Sequence, residues 1–306
     1  MRAGSSRWTV AVALSLLVAV GLTACSDDKD EKAESTDTTT AVKGSPTMSV
    51  DMTDYAYTVS GPLTVGGTIK IANKGKEFHM MSVGKLKPGK TLADFQTALQ
   101  NADPNAKEDP TAALVEQMGL PGNFMGPGQS ADLTVPSLAA GTYAMSCFVP
   151  TEGEGTPHFA KGMISEFTVV DGSKPAAPTA DATYKIATGK AIEGPATLTA
   201  GSHTLKFEAA SGSEQLEPGI AKLNAGTTIE QFIDTFQVFG GETPPPANFA
   251  SQVPGELVFV AFDLGKITEF YLKVNVTAGN YAIDAADTDA PNVPTPHKEV
   301  LNITVS

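Results

Sequence analysis

Apolar and polar residues alternate along many short segments of the chain, and these segments are rich in branched and aromatic side chains. Alternation with a period of two predicts β-strands that bury one face. The segments are IKIAN, ADLTV, GTYAM and EFTVV in the first part of the chain, and TLKFE, ELVFVAF, FYLKVNV and NYAID in the second. Glycine, proline and asparagine separate them, which is typical of an all-β sandwich.

Helical spacing of apolar residues occurs in a few short stretches. Threonine and an acid or amide lie at capping-box spacing at 91–94 and at 228–231, and each pair opens an amphipathic stripe that predicts a short helix. A further helix is expected after Asp109 as cap, with Pro110 in its first turn and Gly119 at its end.

The two parts of the chain resemble each other. Their order is the same, which indicates a tandem duplication of one all-β unit with a short helical insertion. The aligned segments are VGKLKPGKTLADF with IAKLNAGTTIEQF, GTYAMS with GNYAID, and EFTV with NITV.

The first residues contain Arg2 and Arg7, and an apolar run of about 13 residues follows, shorter than the ~20 residues that span a bilayer. The run ends in Leu-Thr-Ala-Cys. This arrangement resembles a bacterial lipoprotein signal peptide with its lipobox. The resemblance implies removal of residues 1–24, acylation of Cys25 with palmitate-type chains, and attachment to the extracytoplasmic face of a cell membrane. The alternative is an ordinary secretory signal with a chance cysteine.

Segment composition predicts the boundaries of the remaining units. Residues 25–47 are acidic and poor in large apolar side chains, so we expect a disordered tether. Residues 171–182 are rich in proline, alanine and aspartate, as interdomain linkers are. Residues 48–170 and 183–306 are then two domains of ordinary size.

Charge limits the choice of partners. Removal of residues 1–24 would take away two arginines and no acid, which changes the formal charge from −13 to −15. Such a charge repels nucleic acid and anionic membrane surfaces, and it favours basic protein partners.

Only one cysteine, Cys147, remains once Cys25 is assigned to the lipid. A disulfide within the chain is then impossible, so this thiol is buried and inert, or it pairs with another chain, or it acts as ligand or nucleophile. Nearby, the stretch CFVPTEGEGTPHFAKGM also contains His158 and Met163. A copper ion that changes between two oxidation states is suited by a thiolate, two imidazoles and a weak thioether. His79 is the other histidine of the first copy.

These residues follow a known order. One histidine after an early strand, then GTYAMSC, PHFAKGM and the strand EFTVV, resembles the cupredoxin (type 1 blue-copper) family. The resemblance implies two tandem cupredoxin-like Greek-key β-sandwiches and one copper in the first. It also implies His79, Cys147 and His158 as equatorial ligands and Met163 as the axial ligand.

One departure from the family pattern concerns the ligand loop. Most small blue-copper proteins place two to four residues between the cysteine and the histidine, whereas Cys147 and His158 are separated by FVPTEGEGTP. A loop of this length with two glycines is expected to be more mobile. In the second copy, Leu216 and Ala285 occupy the positions of His79 and Cys147, so that copy is expected to hold no copper. His297 alone survives there.

The chain is therefore predicted to be a membrane-anchored, extracytoplasmic copper protein that transfers single electrons at one mononuclear type 1-like copper. Its partner would be a redox or copper-donor protein, basic by charge complementarity. Two alternatives stay open: copper trafficking without electron transfer, and a copper-free surface interaction module. No enzyme is expected. Four histidines are too few for the extra coppers of an oxidase or nitrite reductase, and a Cys-His nucleophile lacks its supporting signature.

Overall fold

The computed structural model describes residues 43–102, 110–116, 123–213, 216–236, 246–260, 267–287 and 298–306. These belong to the unit Ala41–Ser306, and the unit Met1–Thr40 lies outside them. The predicted signal peptide and Cys25 therefore lie outside the described residues. We call residues 45–170 the first half and residues 182–306 the second half.

The first half is built from strands and one short α-helix. Its elements are β1 (Ser45–Thr53), β2 (Ala56–Val59), β3 (Leu63–Asn73), β4 (His79–Leu86), α1 (Leu92–Gln100), β5 (Val115–Glu116), β6 (Asn123–Met125), β7 (Ser130–Thr134), β8 (Gly141–Ser146) and β9 (Ile164–Val170). A 3₁₀ turn covers His158–Lys161.

The second half is also built from strands and short α-helices. Its elements are β10 (Ala182–Ile186), β11 (Thr197–Leu198), β12 (Gly201–Ala209), β13 (Leu216–Leu223), α2 (Ile229–Phe236), α3 (Phe249–Gln252), β14 (Gly255–Val260), β15 (Glu269–Val276), β16 (Gly279–Asp287) and β17 (Val300–Val305). All eight alternating segments lie in or largely within these strands, so the all-β prediction is confirmed.

The strands form two sheets among the described residues. The larger follows the order β10-β12-β15-β7-β3-β9-β8-β4-β5, and β1, β2 and β6 attach to it. The smaller follows the order β11-β17-β16-β13-β14. Strand β7 of the first half pairs with β15 of the second, with Leu133 opposite Leu272. One sheet therefore runs through both halves, and buried apolar residues of both form one core cluster.

The two halves pair their strands in the same register. Lys85 pairs with Tyr143 between β4 and β8, and Lys222 pairs with Tyr281 between β13 and β16. Each tyrosine hydroxyl donates to the carbonyl four residues earlier, over 2.8 Å in the first half and 3.0 Å in the second. The sequence alignment between the halves thus corresponds to equivalent places in the two sheets.

Both predicted capping boxes are present, and both helices form. In α1 the Thr91 hydroxyl accepts from the Asp94 backbone N–H over 3.2 Å, and the Thr228 hydroxyl accepts from the Gln231 N–H over the same distance. Helix α1 packs its apolar stripe near Ala144 of β8, and α2 packs near the equivalent alanine of β16.

The further helix expected from Asp109 to Gly119 is wrong where the structure describes it. Leu114 N–H bonds to the Thr111 carbonyl over 2.8 Å, which makes one turn. The next two residues then pair with β4 as strand β5, with Val115 opposite Leu86. Pairing with an open strand edge outweighs the local helix signal there. Asp109 and Gly119 lie outside the described residues.

Strand β1 begins inside the predicted tether. Ser45 N–H bonds to the Pro62 carbonyl over 3.0 Å, and Thr47 pairs with Thr68 of β3. The tether predicted to reach residue 47 therefore ends by residue 44, because these three residues add to a sheet. Residues 171–181 contain no helix or strand, and β10 begins at the last residue of the predicted linker. Among the described residues, no helix has the length and apolar character needed to cross a membrane.

Candidate metal centre

Sheet geometry brings the predicted ligands to one end of the first half. His79 is the first residue of β4, and Cys147 directly follows β8. Because β4 and β8 are antiparallel, with Ser82 opposite Ser146, the start of one strand lies beside the end of the other. His158 and Met163 lie in the connection from β8 back to β9.

Three side chains converge on a common point. His79 Nδ1 lies 3.1 Å from His158 Nδ1, and Cys147 Sγ lies 3.4 Å from the same nitrogen. One donor atom from each of the three residues lies within 4.8 Å of the others. All three residues are 0% exposed, so the site is closed to bulk water.

Met163 lies beside this group and is fully buried. Its backbone N–H donates to the His158 carbonyl over 3.0 Å, and its carbonyl accepts from the Cys147 N–H over 3.2 Å. The same short segment thus holds the methionine, the histidine and the cysteine in fixed relation. The structure brings His79, Cys147 and His158 together, and hydrogen bonds place the Met163 backbone beside the latter two.

The long connection between Cys147 and His158 is folded as a compact hairpin. Thr151 N–H bonds to the Thr156 carbonyl over 2.8 Å, and His158 N–H bonds to the Val149 carbonyl over 2.9 Å. Gly153 and Gly155 both have φ of 76°, a left-handed conformation that glycine adopts without strain. The two glycines therefore serve tight turns, and the expectation of a mobile loop finds no support in this hydrogen bonding.

One contact ties the hairpin to the second half. Gly153 N–H donates to the Ala247 carbonyl over 2.9 Å. Strand β14 of the second half also lies near β6, and Gln129 Nε2 donates to Glu256 Oε1 over 3.2 Å. The second half thus lies directly against the region that carries the ligands.

Burial keeps both histidines neutral at neutral pH. Removal from water, and next the nearby His158, lower the pKa of His79 to about 4, although Asp54 and Glu77 act in the opposite sense. Burial likewise lowers the pKa of His158, again against Glu77. Neutral imidazole is the form that ligates metals.

The thiol of Cys147 has the opposite shift. Burial raises its pKa to about 12, even though the Met80 N–H, 3.2 Å from Sγ, favours the thiolate. The thiol therefore keeps its proton until a cation displaces it. Tyr57 lies nearby, and burial followed by the charge of a Cys147 thiolate raises the pKa of its hydroxyl. The buried pocket thus contains two neutral imidazoles and one thiol, and this set of donors suits copper.

Carboxylates approach the outer edges of both histidines. His158 Nε2 lies 3.1 Å from Glu77 Oε2, and His79 Nε2 lies 3.5 Å from Asp54 Oδ1. Burial disfavours ionisation of Glu77, but hydrogen bonds from the Glu152 N–H, the Tyr55 hydroxyl and His158 outweigh it, so the pKa of Glu77 lies below its usual value.

The pKa of Asp54 is lowered in the same way: burial acts against ionisation, and hydrogen bonds from the Lys76 N–H and His79 outweigh it. A side chain could not replace Gly75, because its Cβ would come within 2.5 Å of His79 Nε2 and of Asp54 Oδ1. Neither of these acids nor Tyr55 was predicted from the sequence. The available signal was that Glu77 lies two residues before His79.

The second half has other residues at the equivalent places. The backbone pattern identifies them, because Ala285 N–H bonds to the Glu299 carbonyl over 2.9 Å, as Cys147 N–H bonds to the carbonyl of Met163. Alanine and glutamate thus stand where the first half has cysteine and methionine. Leu216 begins β13 where His79 begins β4, and His297 lies outside the described residues.

No protein-family model and no curated protein sequence matches the chain. Solved structures do align with it. A dithionite-reduced auracyanin from the photosynthetic bacterium Roseiflexus castenholzii is 21% identical over 42% of this chain and 99% of its own, with a TM-score of 0.27. A multicopper oxidase is 13% identical over 85% of this chain and 88% of its own, with a TM-score of 0.22. A copper nitrite reductase from Nitrosomonas europaea is 12% identical over 85% and 93%, with a TM-score of 0.21.

This comparison corrects one prediction. The chain was expected not to be an enzyme, and that prediction is wrong: the solved structures that align with most of the chain are a multicopper oxidase and a copper nitrite reductase, and these are enzymes. The prediction depended on the number of histidines, which limits the number of imidazole ligands but does not by itself exclude catalysis.

The remaining observations agree with one another. The chain is an all-β protein with sandwich-forming halves, and blue copper proteins of the auracyanin type are among the structures that align with it. A buried His–Cys–His group with donors suited to one copper lies at one end of the first half. The protein is therefore an all-β protein whose first half contains a buried group of donors suited to one copper.

Proposed function

We propose that the protein is an electron-transfer protein with one copper held by His79, Cys147, His158 and Met163. The observation that carries this proposal is the convergence of two imidazole nitrogens and one thiol sulfur within 4.8 Å in a buried pocket. Copper bound there supplies one-electron chemistry between Cu(I) and Cu(II). The pocket walls exclude water, and the backbone bonds of Met163 keep the ligand segment in one arrangement.

Burial of the whole ligand set supports electron transfer over copper trafficking. A trafficking site has to open so that the ion can pass to another protein. Here all four residues are fully buried, and the loop that would open is hydrogen bonded within itself and to Ala247. A copper-free interaction module would give no reason for three buried donors to face one another.

We also propose the organisation that the sequence indicates. The two halves are tandem copies joined by the linker at 171–181, and the second has lost its ligands; equivalent strand register and equivalent tyrosine hydrogen bonds support this. The lipobox-like segment supports a lipid anchor at Cys25 on the extracytoplasmic face of a membrane, with the acidic residues before residue 44 as tether.

The partner we propose is a basic redox protein. Acidic side chains cluster around the ligand end of the first half, with Glu154 60% exposed and Asp54 and Glu152 also at the surface. Their charge attracts a basic surface at low ionic strength, and salt weakens that attraction.

Copper titration with chelator challenge tests the electron-transfer assignment. We expect one copper per chain, an intense thiolate-to-Cu(II) band, and reversible one-electron cycling during which a chelator of modest affinity removes no copper. Met163→Leu should raise the potential and leave binding largely intact, because the axial thioether is the weakest bond. Release of copper on reduction would favour trafficking, and a colourless copper-loaded protein would refute the ligand assignment.

A further inference from the structure

Glu77 joins three segments of the first half through one carboxylate. It lies in the turn between β3 and β4, where its backbone carbonyl accepts from Nδ2 of buried Asn73 over 2.8 Å. Oε1 accepts from the Tyr55 hydroxyl over 2.9 Å. Oε2 accepts from the Glu152 N–H over 3.0 Å and lies 3.1 Å from His158 Nε2. The side chain is only 22% exposed, so these contacts are partly shielded from water.

The contact with His158 determines which ring nitrogen carries the proton. An ionised carboxylate can only accept hydrogen bonds, so Nε2 must be the donor. Nδ1 then keeps its lone pair, and Nδ1 is the atom that faces His79 Nδ1 and the Cys147 sulfur. An outer carboxylate of this kind fixes both the tautomer and the direction of a ligating histidine.

The contact with Glu152 acts on the loop that delivers His158. The Glu152 N–H lies at the tip of the hairpin, six residues before the histidine, and Glu77 is the group that holds it. Tyr55 completes the arrangement: its ring meets the His158 ring edge-on at 5.1 Å between centroids, and its hydroxyl holds the other carboxylate oxygen. Ring and loop are thus held by the same side chain.

The geometry points to Glu77 as a positioning residue that orients His158 for copper and ties the ligand hairpin to the sandwich. This inference depends on the proposed copper function for its effect on the metal, and on this chain alone for its effect on the histidine and loop. The negative charge beside His158 also favours Cu(II) over Cu(I), because it stabilises the more positive ion.

Two substitutions separate these effects. Glu77→Gln keeps an oxygen that can accept the His158 proton but removes the charge, so the His158 tautomer should be retained. The ratio of Cu(II) to Cu(I) affinity should fall roughly tenfold, which for one electron is about 59 mV of higher potential. Glu77→Ala removes the acceptor as well, so copper affinity should fall about 10–100-fold.

The metal-free protein provides readouts that do not depend on copper. Nitrogen-15 NMR should show wild-type His158 protonated on Nε2, with this preference kept in Glu77→Gln and lost in Glu77→Ala. Limited proteolysis within residues 152–156 should become roughly tenfold faster in Glu77→Ala, because local opening of the hairpin becomes easier. Glu154→Gln is the matched control: it lies on the same hairpin, pairs with Lys161 over 2.6 Å, and should change neither readout.

The outcomes distinguish the two proposals. If the wild type binds no copper but shows the expected tautomer and protection, the proposed function fails and the positioning role stands. If copper binds normally and both Glu77 variants match the wild type in tautomer, proteolysis and potential, the positioning role is wrong. If Glu77→Ala does not fold, two milder variants replace it. Tyr55→Phe removes one hydrogen bond to Glu77, and Glu77→Gln removes its charge. If the copper potential is unchanged in both variants, the positioning role of Glu77 is wrong.

Discussion

At the end of β8 the first half carries Cys147, and at the equivalent place in β16 the second half carries Ala285, which is also buried. Both backbone N–H groups bond to the residue just before the last strand of their half, Met163 in one case and Glu299 in the other. The frame is therefore the same, while the side chains that could hold a metal differ.

The comparison shows that the ligands are not required by the fold. Both halves keep their strand register, their tyrosine hydrogen bonds and their capped helix, with or without His79 and Cys147. If these residues served only to fill a core, a hydrophobic side chain would do equally well, as Ala285 does in the second half. Their presence together in the first half indicates chemistry.

The largest effect is expected when Cys147 is changed to the residue of the second half. Cys147→Ala should abolish the thiolate-to-Cu(II) band and lower copper affinity by more than the roughly 10–100-fold typical of losing an outer partner. The metal-free variant should lose only about 1 kcal/mol of unfolding free energy, because one sulfur atom leaves a small cavity. Visible absorption and urea unfolding measure both. The control Ala285→Cys should remain colourless, and colour in Cys147→Ala would contradict the assignment.

The next largest effect is expected where strands β7 and β15 pair across the two halves. Leu272 is fully buried on β15 and lies opposite Leu133 of β7. Leu272→Ala should lower the free energy of unfolding by about 2–5 kcal/mol. Because the core is shared, loss of the copper band and loss of circular dichroism should occur in one transition. Exposed Lys273→Ala, on the same strand, should change stability by less than about 0.5 kcal/mol. Two separate transitions would mean that the halves fold independently.

A smaller, pH-dependent difference is expected at Asp284, where the first half has the neutral Ser146. Burial raises the pKa of Asp284 to about 7. The folded state therefore holds a proton that the unfolded state releases near pH 4, so this stabilisation is complete below pH 4 and is lost as pH rises through 7.

Asp284→Asn should accordingly make the protein more stable than the wild type at pH 8, by roughly 1–3 kcal/mol, and little different at pH 4. This range is smaller than the free energy that the whole pKa shift would give, because Asp284 is only partly buried. Thermal unfolding across pH 4–8 measures the difference. Equal gains at both ends of the range would show that the carboxyl is not titrating.

The smallest effect should be the same in both halves. Thr91→Ala and Thr228→Ala each remove a helix cap and should cost about 1 kcal/mol of unfolding free energy. Neither should change the copper band, because the described hydrogen bonds of both threonine hydroxyls stay within their own helix starts. A clear difference between the two variants would show that the helices differ in role despite their matching boxes.

Sequence patterns predicted the elements better than their pairing. Alternation identified the strands, and capping boxes identified α1 and α2, because both signals are local. The pairing of Leu133 with Leu272 across the two halves left no such signal, since edge-to-edge contact does not change the period of either strand. The prediction of a helix after Asp109 was wrong for a related reason. Val115 pairs with Leu86 of β4, and such a contact between strands leaves no local signal in the sequence.

For the metal centre, sequence indicated the donors but not their surroundings. The types and order of His79, Cys147, His158 and Met163 suffice to suggest copper. The role of Glu77 depends on a fold that returns Glu152 and His158 to its side chain, and its position two residues before His79 does not by itself indicate that role. The compact hairpin was likewise hidden, because its hydrogen bonds are made mostly by backbone groups.

The pairing of β7 with β15 also has a consequence for solubility. An unpaired strand edge is a template for association with other chains. Each half contributes one such edge, and each covers the edge of the other. A chain that lost its second half would expose the backbone of β7 from Asp132 to Thr134. The second half thus protects β7 from self-association through this pairing.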